Sequence, residues 1–253
     1  MTTISPLKQN VDKIQLDQKE IYLVGTAHIS SKSVELAEEI IREIQPHSVA
    51  VELCEPRFKA LQDPDRWKKT DIFTVIKQKK MYLLMSQLIL AGFQKKLGKS
   101  LDIKPGAEMM KSVEVANEIG SEIVLADREV RTTLKRTWSS MSIWSATKLM
   151  GAMVGSIFTT QELSEEEIER LKSSDALNEM MKELSDAIPG VQKALIDERD
   201  KYLATKIKQS PGDKVVAIIG AGHIPGIKNY IGEDIDLEPL NVCLLYTSPS
   251  PRD

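Results

Sequence analysis

Four short apolar runs, each ending in a polar residue, set the narrowest limit on how this chain folds. Ile21-Tyr-Leu-Val-Gly-Thr-Ala-His28 ends in a glycine and then a histidine, and Val215-Val-Ala-Ile-Ile-Gly-Ala-Gly-His223, entered from Lys214, repeats the pattern far downstream. Ser48-Val-Ala-Val-Glu52 and Glu122-Ile-Val-Leu-Ala-Asp127 end in carboxylates. Runs this short, rich in Val and Ile and bounded by turn residues, read as buried parallel strands. Helical patterns separate them, which predicts an α/β chain: a central, mostly parallel sheet flanked by helices. In such sheets ligands bind beyond the carboxyl ends of the strands. His28, Glu52, Asp127 and His223 all stand at that end, so they are expected to face one cleft.

The intervening sequence fits this plan. Val11 to Leu16 and Glu20 to Thr26 suit a hairpin with Asp17-Gln18 at its turn, and Ser30 or Ser31 can cap the helix that follows. Val34, Ala37, Ile40, Ile41 and Ile44 recur at helical spacing until Pro46. Pro56 sits in the first turn of a short helix after Glu52. A long apolar helix is expected over about 71–99, and another from Pro105 to Ile119, closed by Gly120. From about 129 to 210 the pattern is helical throughout, which predicts a large helical insertion before the last core strand. The expected unit is a single domain over 11–242.

Composition narrows the function. The chain has 253 residues, 42% hydrophobic and 28% charged, with a formal charge of −3, so it lacks the basic footprint of a nucleic-acid binder. Two cysteines, Cys54 and Cys243, exclude a disulfide framework or a cysteine-rich zinc site. No basic-then-apolar leader opens the chain and no run of about 18 apolar residues occurs, so this fragment is expected to be soluble, without a signal peptide. The last eleven residues, Cys243 to Asp253, resemble a translated sequencing adapter. On that reading they are an assembly artefact, and the native chain continues past Val242.

The candidate chemistry lies at the strand ends. A catalytic divalent metal takes about three imidazole or carboxylate ligands and keeps an open position. His28, His223 and Glu52 supply such a two-histidine, one-carboxylate set. Gly25 and Gly220 are expected to let the backbone turn at the strand ends. Arg57 can hold a carboxylate or phosphate, or merely solvate a helix start with Glu55. Asp127-Arg128 and Glu198-Arg199 are expected chiefly as ion pairs that bind the insertion to the sheet. His47, beside Pro46, is expected at the surface. Cys54, lone and without an adjacent cation, is a poor nucleophile.

Gly25-Thr-Ala-His28, Val51-Glu-Leu-Cys-Glu-Pro-Arg57, Pro105-Gly-Ala-Glu-Met109, Asp127-Arg128, Leu195-Ile-Asp-Glu-Arg-Asp200 and Gly220-Ala-Gly-His-Ile-Pro-Gly226 together resemble the TraB/PrgY family of pheromone-shutdown proteins. The resemblance spans about Lys13 to Ile231. That family looks related to the Tiki Wnt-cleaving proteases, whose two Gly-x-x-His motifs and glutamate work with manganese or cobalt. By position these are His28, His223 and Glu52, with zinc a further candidate metal. More distant relatives include erythromycin esterases, where His and Glu act without metal, and a haem-binding lipoprotein of the ChaN type. The resemblance thus implies a metal-dependent hydrolase or peptidase acting on a peptide or other carbonyl substrate, with Glu52 as ligand or general base. Arg57, Arg128 or Arg131 would neutralise the oxyanion or hold a peptide carboxylate. The alternatives it leaves open are a metal-independent His/Glu hydrolase and a protein that binds a peptide signal without cleaving it. Family members commonly carry transmembrane helices after this domain, which implies membrane association through a C-terminal segment missing here. A homo-oligomer is a further expected assembly.

Overall fold

The computed structural model describes residues 10–26, 31–63, 106–140 and 192–242. The chain enters through a hairpin of β1 (Val11–Leu16) and β2 (Lys19–Thr26), turning at Asp17, whose φ is 52°. Then come α1 (Ser31–Ile44), β3 (Ser48–Val51), α2 (Glu55–Gln62), α3 (Ala107–Ile119), β4 (Glu122–Leu125) and α4 (Val130–Ser140). A π-helical turn, Lys193–Asp197, runs directly into α5 (Glu198–Lys208). β5 (Lys214–Gly220), a 3₁₀ turn (Ala221–His223), α6 (Ile224–Tyr230) and α7 (Glu238–Asn241) complete the described chain.

The sheet order is β1-β2-β5-β3-β4. Only the β1/β2 hairpin is antiparallel; β2, β5, β3 and β4 run parallel. The architecture is therefore α/β with a mostly parallel sheet flanked by helices, as the four apolar runs require. β5, the last of the described strands, lies between β2 and β3. Its residues alternate between two cores, as strand geometry dictates. Val216 and Ile218 pack with Ala37, Ile40 and Ile41 of α1 and Met109, Val113 and Ala116 of α3. Val215, Ala217 and Ile219 pack with Leu203, Ala204 and Ile207 of α5 and Ile227 of α6. Burial on both faces explains why these strands read as continuous apolar runs rather than alternating ones.

Helix limits follow local chemistry. α1 ends before Gln45 and Pro46, where Gln45 takes a φ of 49°. α3 starts one residue later than Gly106, which is its left-handed N-cap, and Gly120 closes it with φ 75°. The expected helix over 71–99 and the central part of the insertion, 141–191, lie outside the described residues. The insertion's described ends, α4 and the 193–208 segment, are helical as expected. Among the described residues no helix is long and apolar enough to cross a membrane.

Candidate functional site

Parallel pairing brings the first residues of the two Gly-x-x-His motifs side by side. Gly25 pairs with Ile219 and Thr26 with Gly220, so adjacent strands carry the motifs to the same edge of the sheet. β3 flanks β5 on its other side and delivers Glu52 one residue after Val51, itself paired with Ile218. His28 lies outside the described residues. The other three strand-end residues can be placed in full.

Glu52 is buried and gripped at both oxygens. Its Oε2 accepts the Gly220 backbone N–H at 2.7 Å, and its Oε1 accepts Arg199 Nη2 at 2.7 Å. The same Oε1 stands 3.6 Å from His223 Nε2. The far side of that imidazole meets Asp200, with Nδ1 and Oδ1 2.5 Å apart. When Asp200 is ionised it can only accept, so Nδ1 is the donor of this contact and, in the neutral ring, the lone pair lies on Nε2, the nitrogen nearer Glu52. Burial pushes the Asp200 carboxyl above its ordinary range, with the His223 contact and Arg199 pulling the other way.

Asp127 completes the group. It takes Arg199 side-on, Nε to Oδ1 at 3.1 Å and Nη2 to Oδ2 at 2.9 Å, while Oδ1 also accepts the Arg128 N–H at 2.8 Å. Burial opposes the charge on Arg199, but Asp127 and then Glu52 outweigh it and hold the guanidinium pKa above the usual arginine value. Glu52 and Asp127 thus share a single guanidinium.

Arg128 faces elsewhere. Its side chain is fully buried; Nη1 donates to Glu198 at 2.7 Å, Nε to Thr133 at 3.0 Å and Nη2 to the Ala194 carbonyl at 2.7 Å. Arg136 binds Glu198 through both oxygens, at 2.6 and 2.8 Å, and donates to the Pro239 and Val242 carbonyls. The Asp127-Arg128 and Glu198-Arg199 pairs therefore cross-brace: Asp127 holds Arg199 and Glu198 holds Arg128. This is the ion-pair tie between insertion and sheet that the sequence suggested. Arg57, half-buried in the first turn of α2, has no hydrogen-bond or ion-pair partner among the described residues. Glu55 pairs with Lys59, four residues on, as a solvated helix face would. Cys54 is a buried free thiol, and His47 is exposed and pairs with Asp213.

The glycine that shapes the site is Gly226, not Gly25 or Gly220. Gly220 sits at φ −56° and ψ 132°, open to most residues, and a side chain at Gly25 would meet Ala221 at an ordinary 3.5 Å. A Cβ on Gly226 would fall 1.9 Å from Asp200 Oδ2 and 2.9 Å from Asp200 Cβ. α6 can press onto α5 closely enough for His223 to reach Asp200 only because residue 226 has no side chain. Gly226→Ala is expected to cost about 1–3 kcal/mol through overpacking and to separate His223 from Asp200. A melting temperature lowered by several degrees, with a shifted His223 imidazole resonance, checks this.

Asp200 and the Glu52 contact of Arg199 were not foreseen as parts of the site. Both residues stand in the quoted Leu195–Asp200 motif. The missed signal was its helical phase: consecutive residues lie about 100° apart, so Glu198, Arg199 and Asp200 can reach three different partners.

As a metal site, the described donors fit in kind. Nε2 belongs to an imidazole whose other nitrogen is held by a carboxylate, the usual outer-shell arrangement of a metal-binding histidine. Two atoms each about 2.1 Å from one ion stand close to the 3.6 Å separating Nε2 from Glu52 Oε1. These are two donors; among the described residues no group of three or more His, Cys, Asp or Glu side chains is gathered for an ion. An open cavity of about 480 Å³ touches Gly25 and Ala221, one from each motif, and is also lined by the Asp12–Lys228 ion pair.

The chain is 36% identical over 233 residues to an uncharacterized protein of Methanocaldococcus jannaschii, a match covering 89% of this chain and 58% of that one. The chain thus spans less than two thirds of that relative's length. It is 28% identical to a TraB domain-containing protein of Mus musculus and 27% to one of Homo sapiens, each over 93% of this chain and 67% of theirs. The model of the TraB/PrgY/gumN family matches residues 10–233, and the chain belongs to that family.

Proposed function

We propose that this domain is a hydrolase of peptide or related carbonyl substrates, assisted by a divalent metal ion, with manganese or cobalt the first candidates. The observation that carries this is the Asp200–His223–Glu52 array at the strand ends. Asp200 holds the imidazole by Nδ1 with Nε2 facing Glu52 at 3.6 Å, and Glu52 is clamped by a backbone N–H and a guanidinium.

His223, Glu52 and His28 would hold the ion. When bound, it would lower the pKa of a water molecule and polarise the scissile carbonyl. The protein's own groups account for the rest. Asp200 holds the Nδ1 proton and so fixes the ring's tautomer and orientation. The Gly220 N–H and Arg199 hold the Glu52 carboxyl in place, as a ligand or a proton acceptor requires. Arg57, without a carboxylate partner among the described residues, is the cation suited to a substrate carboxylate or a developing oxyanion. Arg128, locked on Glu198, braces the structure behind the site.

The test uses full-length protein: metal content after purification, then cleavage of a mixed peptide pool with and without a chelator. Chelator-sensitive cleavage restored by Mn²⁺ or Co²⁺, and lost in His223→Ala and Glu52→Gln, is the expected result. Cleavage indifferent to chelation would favour the metal-free His/Glu mechanism. Peptide binding without cleavage, surviving in His223→Ala, would favour a sequestering protein.

A further inference from the structure

Glu52 has two claimants for one oxygen. Oε2 is committed to the Gly220 N–H at 2.7 Å, so Oε1 alone faces His223 Nε2, at 3.6 Å. That same Oε1 accepts Arg199 Nη2 at 2.7 Å. Arg199 has a second seat. Asp127 holds it through Nε at 3.1 Å and Nη2 at 2.9 Å, and both contacts survive if Glu52 lets go. The planar guanidinium suits such side-on, two-point retention by a carboxylate.

Resting on the metal reading above, we propose that Arg199 is a resident counter-cation that competes with the divalent ion for Glu52, with Asp127 as the carboxylate that retains it when Glu52 is released. Without an ion, Arg199 stabilises carboxylates that burial would otherwise penalise. When an ion binds, its charge takes over that role at Glu52, and Arg199 remains on Asp127. Arg199 is thus a positioning residue that sets how strongly the site takes metal.

The two residues should therefore shift affinity in opposite directions. Co²⁺ titration of the full chain, read by visible absorption and calorimetry, compares wild type, Arg199→Gln, Asp127→Asn and the double variant. Arg199→Gln is expected to bind about tenfold tighter or more, since a positive charge a few ångströms away is removed. Asp127→Asn is expected to bind more weakly, because Arg199 then rests on Glu52 alone. In the Arg199→Gln background, Asp127→Asn should weaken binding by less than it does in the wild type, because only its direct attraction for the ion is then lost.

Equal or weaker binding by Arg199→Gln, or a full Asp127→Asn effect in the double variant, overturns the competition while leaving the metal site standing. Absence of Co²⁺ binding in all four proteins removes the metal reading and the competition together. Binding that appears only once Arg199 is replaced supports the competition. If Arg199→Gln does not fold, the double variant decides: tighter binding than in Asp127→Asn supports the proposal, and equal or weaker binding overturns it.

Discussion

Glu198→Ala is expected to unfold this protein more readily than any other single exchange in the described structure. Glu198 is almost completely buried and is the carboxylate to which Arg128 and Arg136 both donate. Its removal leaves the Arg128 guanidinium, itself buried, facing Thr133 and carbonyl dipoles without a counter-charge. Breaking a buried pair from one side costs about 3–5 kcal/mol, which for a chain of this size lowers the melting temperature by on the order of 10 °C.

A pH signature accompanies that loss. Burial works to raise the Glu198 pKa, but Arg136 and Arg128 outweigh it, and the net direction is downward from 4.5. A lowered carboxylate stabilises the fold above its unfolded pKa, and that stability is lost as pH falls through the folded value. Asp200 runs the other way. Its raised pKa means that ionisation costs stability, and the cost enters as pH rises from 3.8 toward the folded value. The wild type should therefore lose stability on acidification below about pH 4.5, less steeply than Glu198 alone would dictate. Glu198→Gln should flatten that limb. Urea denaturation across pH 3–7 is the measurement, and an unchanged acid limb would count against the Glu198 assignment.

Asp200→Asn is expected to have the largest effect on function. The amide can donate to Nδ1, which would move the imidazole hydrogen to Nε2 and remove the lone pair directed at Glu52. Losing the orienting aspartate of a histidine in this way costs about 10⁴-fold in turnover in a catalytic triad, and about 10–100-fold in metal affinity at a metal site. Peptide turnover, Co²⁺ affinity and the imidazole ¹⁵N tautomer shifts read the outcome together. Full turnover with unaltered affinity would show that His223 does not act through Nε2. The melting temperature should move far less than in Glu198→Ala, because no uncompensated charge is created.

These two residues also mark where the sequence stops being readable. The strands were legible because burial on both faces leaves an uninterrupted Val/Ile signature, and the order of helices between them forced parallel pairing. The strand-end convergence of Glu52 and His223 followed from that topology, since residues after the last apolar position of neighbouring strands must emerge together. The ion-pair tie was legible as two acid-base dipeptides. The choice of partners was not. Whether Arg199 turns to its neighbour or to Glu52 depends on helix phase and on how closely α6 approaches α5, and that approach is set by the contact between Gly226 and Asp200, 26 positions apart in sequence. Gly25 and Gly220 illustrate the converse: glycines at strand ends suggested sharp turns, but their backbones need none.

The position of β5 carries a consequence for how the molecule comes into being. During synthesis the ribosome releases the β1/β2 hairpin and the β3 segment long before Lys214 emerges, yet those pieces share no hydrogen-bonded border of their own. They become one body only when the final strand slides between them, a late, long-range closure of the kind that slows folding. Nascent chains that stall before this point would expose two unmatched strand edges at once, and recruitment of chaperones should peak over that interval.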